Sequence, residues 1–319
     1  MATPAKVAIV VPTFERTQYL EQALSSVVAQ EWTDWSLTVY DDGRTPEVHD
    51  IVRRLGDPRI SYHPNPVRLG IAQNKFAGWL ATRSRYIANL DDDDTWEPDF
   101  LSTLVPILEA DQSLAVAFSS QYIIDEAGTV DPERTRANQN HYRGMLTPGR
   151  QWPIDRLALV DMSLPVATGS VISRDVLDAG RLPHALNMHA DFWLAYLIVS
   201  SRRAAFYHDR ALVSYRIHDQ SATAGAGLVW HASWADCYRA FLDDEALRAL
   251  WPDFRAQLAI SERRVAALQL IAGDTRSARQ ASRRALTAAI TPSTVAVAGA
   301  ALAGRVGRQA ALAARRAGR

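Results

Sequence analysis

The chain has one cysteine, Cys237, in 319 residues. That excludes a disulfide framework and a thiolate zinc site. No stretch reaches the ~18 apolar residues of a bilayer-spanning helix. The nearest, TVAVAGAALAG over 294–304, is short and rich in Ala. The opening MATPAKVAIVVPTFER carries a single Lys and then five apolar residues before Pro12, too few for the apolar core of a secretory signal. The expectation is a reducing, cytoplasmic setting. An excess of one charge is lacking too: 35 basic and 35 acidic side chains leave a formal net charge of zero. With 48% hydrophobic and 22% charged residues, disorder and a collagen-like chain are excluded.

The balance hides an asymmetry. From Pro252 onward twelve Arg stand against three acids, Asp253, Glu262 and Asp274, a local +9 that leaves −9 on the first 251 residues. An acidic body with a basic tail points to a metal-using catalytic part and a helical appendage near something anionic. A homodimer contact or a peripheral membrane contact would suit such an appendage. The plainer reading is a set of solvated Arg-rich helix faces. The tail lacks interleaved aromatics, so no nucleic-acid partner is expected.

The first half alternates two periodicities. Val7–Val11, Ser36–Tyr40, Ile60–His63, Tyr86–Leu90 and Ala115–Ser119 read as short apolar strands. Between them, 17–30, 46–55, 70–82 and 98–110 carry helical spacing, the first with Thr17 as N-cap. The β-α-β order predicts a parallel sheet with helices on both faces and a ligand site beyond the carboxyl ends of the strands. The polar clusters fall at those ends: 13–16, 41–43 and 91–94. Residues 125–165 read as a long loop region. Then come a strand and short helix over 168–177, a helix over 191–200 and a strand over 211–215. From about Leu228 the pattern is helical only. The boundary falls near 225, with an α/β domain over 1–225 and an Ala/Arg-rich helical extension over 226–319.

Four consecutive carboxylates, Asp91 to Asp94, follow the fourth strand. Such a run is costly unless a cation sits there or the turn is fully solvated, and carboxylate oxygens suit a hard divalent ion. Asp41-Asp42-Gly43 is a second acidic strand end, able to accept from a nucleobase or ribose, or simply to form an Asp-Gly turn.

The ordered set VVPTFERTQYLEQALSSVVAQ, VYDDG, RLGIAQNKFAG and NLDDDDTWEPDFL resembles inverting glycosyltransferases of family 2, over roughly residues 6–220. The resemblance implies the GT-A fold: an α/β, Rossmann-like, mostly parallel sheet flanked by helices, here with a C-terminal α-helical extension. It implies that Pro12, Thr13 and Glu15 border the nucleotide, that Asp42 contacts the base, and that Arg68 lies near base and diphosphate. Asp91-x-Asp93 matches the metal motif, with Asp93 the direct ligand of Mn²⁺ or Mg²⁺ and Asp92 close by. In Tyr215-Arg216-Ile217-His218 the resemblance places His218 at the metal or diphosphate, with Arg216 neutralising the leaving group. His189-Ala190-Asp191-Phe192-Trp193 departs from the family's Glu-Asp-x-Asp pattern. Either His189 or Asp191 then serves as general base, Asp191 being preferred because the family's base is a carboxylate.

The implied reaction moves a sugar from a nucleotide-diphosphate donor, UDP by default, to an acceptor hydroxyl on a glycan, a lipid-linked molecule or a small molecule. Direct displacement inverts the anomeric centre. A nucleotidyltransferase is the competing enzyme class, but the loop VPTFERTQ has no glycine for a phosphate-binding turn. A non-catalytic relative would be expected to have lost its acids, and this chain keeps them.

Overall fold

The computed structural model describes residues 4–164, 168–183, 186–219, 221 and 227–317. It divides into two compact units, Met1–His184 with Ala190–Asp219, and Ala185–His189 with Gln220–Arg319.

The first unit opens as the alternation dictates. Strands β1 (Val7–Thr13), β2 (Trp35–Asp41), β3 (Ile60–Pro64) and β4 (Tyr86–Asn89) are separated by helices α1 (Leu20–Val28), α2 (Pro46–Leu55) and α3 (Ile71–Ala81). β1 pairs in parallel with both β2 and β4, and β3 adds in parallel outside β2. β1 is buried almost throughout, as a central parallel strand covered on two faces must be. α3 lies close on this sheet because Gly78 has no side chain: a Cβ there would meet Val10 Cγ1 at 2.7 Å and the Tyr40 ring at 3.0 Å.

After β5 (Thr95–Trp96) and α4 (Phe100–Ala110) the pairing changes. β6 (Leu114–Ile124), α5 (Pro132–Arg143), β7 (Gly149–Gln151), α6 (Asp155–Leu159), β8 (Ser170–Ser173), α7 (Ala190–Ser200) and β9 (Ala204–Arg216) complete the unit. The sheet runs β3-β2-β1-β4-β8-β6-β9-β5, with β7 added on β9. β8 enters between β4 and β6 antiparallel to both, while β6 and β9 are parallel. The sheet is thus parallel in its N-terminal half and mixed beyond it.

Three local expectations are corrected. Thr17 does not cap α1, which starts at Leu20 after Tyr19 with no side-chain cap. The stretch 125–165 is no plain loop. It holds α5, which buries only Thr135 and Arg143 and therefore shows no apolar stripe. Its start was nonetheless written in the sequence: Asp131 accepts from the Glu133 and Arg134 amides, with Pro132 at the first turn. β9 begins at Ala204 rather than 211, because the exposed Asp209 and Arg210 interrupt its apolar pattern.

The second unit is helical: α8 (Leu228–Leu242), α9 (Trp251–Ala272), α10 (Thr275–Ala288), α11 (Pro292–Leu302) and α12 (Arg305–Ala317). Glu262 on α9 is fully buried, and Arg239 and Arg284 both pair with it. Part of the tail's arginine therefore points inward. Among the described residues no helix is long and apolar enough to cross a membrane.

Candidate active site

The acidic run sits where β4 ends, and its four carboxylates have four different environments. Asp91 accepts from Lys75 Nζ at 2.9 Å and from Asn89 Nδ2 at 2.8 Å, while its amide donates to Thr168 Oγ1. Burial works against its charge, but Lys75 outweighs it and holds Asp91 below its ordinary pKa. Asp92 is 1% exposed, accepts from Thr13 Oγ1 at 2.5 Å and pairs with Arg16. Burial pushes it up to about 6, against the pull of Arg16. Asp93 pairs with Arg16 Nη1 at 2.8 Å and lies 3.0 Å from His218 Nε2. Asp94 accepts the Arg216 amide through Oδ1, and its Oδ2 is buried with no hydrogen-bond partner. Burial, then Asp93 and Asp91, push it well above the carboxylate range.

Lys75 is the hinge of the site. It projects from α3 with 8% side-chain exposure and bridges Asp91 to Asp191 on α7, with Nζ 3.1 Å from Asp191 Oδ2. Two carboxylates outweigh the desolvation of its ammonium and raise its pKa. Asp191 remains 35% exposed at its side chain, yet its surroundings push its pKa up, opposed by Lys75. It is thus a carboxylate oriented by a buried cation, at the same strand ends as the acidic run.

The loops after β1 and β2 meet at Gly43, where a Cβ would lie 3.0 Å from Glu15 Cγ and 2.9 Å from Thr45 Oγ1. Pro12 is the last but one residue of β1, in register with Tyr40, and Glu15 is exposed with a φ of 51°. Asp41 is structural: it accepts from the Gly43 and Thr45 amides and the Tyr62 hydroxyl. Asp42 accepts from Asn65 Nδ2, the Leu69 amide and the Gly70 amide. These partners make it the anchor of the 65–70 loop, since a buried carboxylate is satisfied by the donors nearest to it. That loop carries Arg68, which is exposed and stands 4.0 Å over the Phe14 ring.

Two expected residues are engaged elsewhere. Arg216 is 2% exposed, and its guanidinium donates to the carbonyls of Asp93, Asp125 and Glu126 and to Gln22 Oε1, with Tyr19 4.4 Å beneath it. It locks the acidic turn from behind. His189 belongs to the helical unit. Its Nε2 lies 3.0 Å from the Trp230 carbonyl and its ring 4.1 Å from Trp234, and burial lowers its pKa to about 4. Those partners are the partners of a packed ring.

Arg16 and Lys75, which pair with the acidic run, are the residues of this cluster that sequence reasoning passed over. Arg16 follows Thr13 by three residues, in the loop already singled out. Lys75 is one of only two lysines in the chain, on a helix whose remaining buried residues are small or apolar apart from Asn74. Each is the counter-ion of an acidic cluster distant in sequence, so nothing local marks it.

Among the described residues no group of three or more His, Cys, Asp or Glu is arranged to hold a metal unaided. The donor chemistry nonetheless fits a divalent ion. Asp93 and His218 offer one oxygen and one nitrogen side by side, and the neighbouring Asp94 leaves one buried oxygen without a hydrogen-bond partner. Ions of this class are commonly held by one or two carboxylates together with substrate phosphates.

A half-parallel sheet with loops gathered around an acidic strand end defines the GT-A class of nucleotide-dependent transferase folds. Residues 8–177 match the model for glycosyl transferase family 2, and the chain belongs to that family. It is 31% identical over 131 residues to the GalNAc(5)-diNAcBac-PP-undecaprenol beta-1,3-glucosyltransferase of Campylobacter jejuni, covering 40% of this chain and 41% of that protein. The chain spans about half the length, or less, of the curated relatives it matches. Among solved structures, Staphylococcus aureus TarS 1-349 in complex with UDP-GlcNAc superposes with a TM-score of 0.62 at 13% identity, over 94% of this chain and 92% of that one. The mannosyltransferase PcManGT of Pyrobaculum calidifontis, with GDP-Man and Mn²⁺, gives 0.58 at 17% identity, over 97% and 84%. At these identities the likeness shows the fold.

Proposed function

We propose that this protein is an inverting, divalent-cation-dependent glycosyltransferase that moves a sugar from a nucleotide diphosphate to an acceptor hydroxyl, with a UDP-sugar as first-choice donor. The observation that carries the reading is the Lys75 bridge, which brings Asp191 to the strand ends that hold Asp91 and Asp93. The complexes of TarS with UDP-GlcNAc and of PcManGT with GDP-Man and Mn²⁺ support donor and cation by fold analogy. The C. jejuni relative, a glucosyltransferase named for its undecaprenol-linked glycan, supports a lipid-linked glycan as one acceptor class.

Asp93 and His218 would hold Mn²⁺ or Mg²⁺, which supplies positive charge to the departing diphosphate. Arg68, exposed on its loop, would add positive charge for the same anion. Asp191 takes the proton of the acceptor hydroxyl. The new bond forms from that oxygen to the anomeric carbon as the carbon–oxygen bond to the diphosphate breaks, and the nucleotide leaves with the electron pair. Attack from the opposite face inverts the configuration, through an oxocarbenium-like transition state. Asp91 and Lys75 keep Asp191 oriented, which is worth much of the barrier when geometry is held before reaction.

The test is a donor screen with UDP-, TDP- and GDP-sugars, with and without Mn²⁺, read by nucleotide release and by NMR of the product's anomeric proton. An α-linked donor is expected to give a β-linked product. An α-linked product, or turnover unaffected by chelator, overturns the reading.

A further inference from the structure

We infer that the C-terminal helices seat the protein on an anionic membrane surface through the outer face of α11 and the first turn of α12. This rests on the helical unit alone and not on the chemistry proposed above.

Residues 285–304 form a run of twenty with no charged side chain, bounded in sequence by Arg283 and Arg284 before it and by Arg305 and Arg308 after it. Within that run α11 has two faces. Thr294 and Ala301 are buried, and Val297 and Ala300 pack toward residues of α9 and α10. The opposite face carries Val295, 52% exposed, and Leu302, 67% exposed. Ile290 just before the helix is 80% exposed, and Val306 just after it 71%. Val295, Gly299 and Leu302 follow the i, i+4, i+7 spacing of one stripe on α11, and Val306 stands in the first turn of α12, past the helix break at Gly304. Val295 and Leu302 thus line one uncharged face of α11, with Ile290 and Val306 exposed at its two ends.

The cations lie at its rim. Arg279 Nε donates to the Ala301 carbonyl at 3.1 Å and its Nη2 to the Leu302 carbonyl at 3.3 Å, which fixes a guanidinium beside the exposed Leu302. Arg276 and Arg283 share the outer face of α10 with Arg279, and Arg308 is exposed two residues after Val306. An apolar ridge with an arginine fringe is the pattern of an in-plane interfacial helix: the ridge enters the acyl boundary and the guanidiniums meet lipid phosphates.

A second copy fits less well. An eleven-residue helix is about 17 Å long, and one face of it falls far short of the ~800 Å² per partner of a stable interface. A two-fold contact through this ridge would also bring arginine fringe against arginine fringe.

The full chain is tested by co-sedimentation with vesicles of phosphatidylglycerol and phosphatidylcholine, against pure phosphatidylcholine. Binding to the anionic vesicles that weakens with added salt is expected. The double variant Leu302→Asp/Val306→Asp should weaken it by about tenfold or more. Arg276→Glu/Arg283→Glu should weaken it without touching the apolar ridge. Ile260→Asp, an exposed position on α9, should leave it unchanged. Thermal melts of all variants are expected to match the parent, since every replaced side chain is exposed. No binding to anionic vesicles, equal binding by the Leu302/Val306 variant, or a concentration-dependent dimer that this variant dissolves without any vesicle binding would each overturn the inference.

Discussion

Charge compensation at single residues decides what this site can do. Lys75 is the sharpest case. Lys75→Met leaves Asp91 and Asp191 facing each other without their shared cation, and breaking a buried pair by removing one partner costs several kcal/mol. About 3 kcal/mol is expected here, at the low end because Asp191 is partly solvated, with urea unfolding as the measure. A loss under about 0.5 kcal/mol would show that the bridge carries no weight. For Asp191 the direction of its pKa shift sets the pH dependence. Burial raises it, and a general base works only when deprotonated, so activity should rise with pH through a value above the ordinary carboxylate range. The acid limb of the kcat/KM profile reports this. Asp191→Asn should lower kcat by about 10²–10⁴-fold and remove the limb. His189→Ala should change kcat far less, and equal modest losses in both would remove the base assignment. Neither Lys75 nor Arg16 was visible as a site residue in advance. A lone cation in a helix or a loop has no local signature, and its meaning comes from carboxylates brought near by the fold.

The elements of the N-terminal, parallel half were written in local pattern. Buried parallel strands read as unbroken apolar runs, and their covering helices as amphipathic stripes, so β1 to β4 and α1 to α3 could be placed to within a few residues. α5 failed that test because it is polar all round, and periodicity is silent where nothing is buried. Its Asp131-Pro132 start remained as a cap signal. The antiparallel entry of β8 was also beyond local reading, since pairing direction depends on where a strand arrives and not on its composition. One contact between elements is testable directly. Gly78 lets α3 approach β1 and β2, and Gly78→Ala places a methyl 2.7 Å from Val10 Cγ1. The helix must shift, at a cost of about 1–3 kcal/mol. Equilibrium denaturation measures that cost, and an unchanged midpoint would mean that the packing relaxes freely.

For the whole molecule, ligand binding and folding are linked. UDP with Mn²⁺ should raise the melting temperature, UDP without metal should raise it less, and Asp93→Asn should erase the difference, because only binding to the folded form adds stability. A metal-independent UDP shift that survives Asp93→Asn would place the nucleotide away from the acidic run. The unequal charge of body and tail belongs to this scale as well. The surplus of arginine after Pro252 was plain from counting, but counting could not separate its uses. Arg284 turns inward to the buried Glu262, while Arg276 and Arg283 stay outside.

Composition, periodicity and the order of four motifs were enough to assign the α/β class, the family and the acidic strand end, because each depends on residues close together in the chain. The tertiary structure alone could show that Arg216 braces the acidic turn from behind, that Asp42 is occupied by the 65–70 loop, that His189 is a packed ring, and that Lys75 joins Asp191 to the acidic run. Those outcomes depend on which donors and acceptors are within 3 Å after folding. Burial makes every such pairing obligatory without saying beforehand who the partner will be.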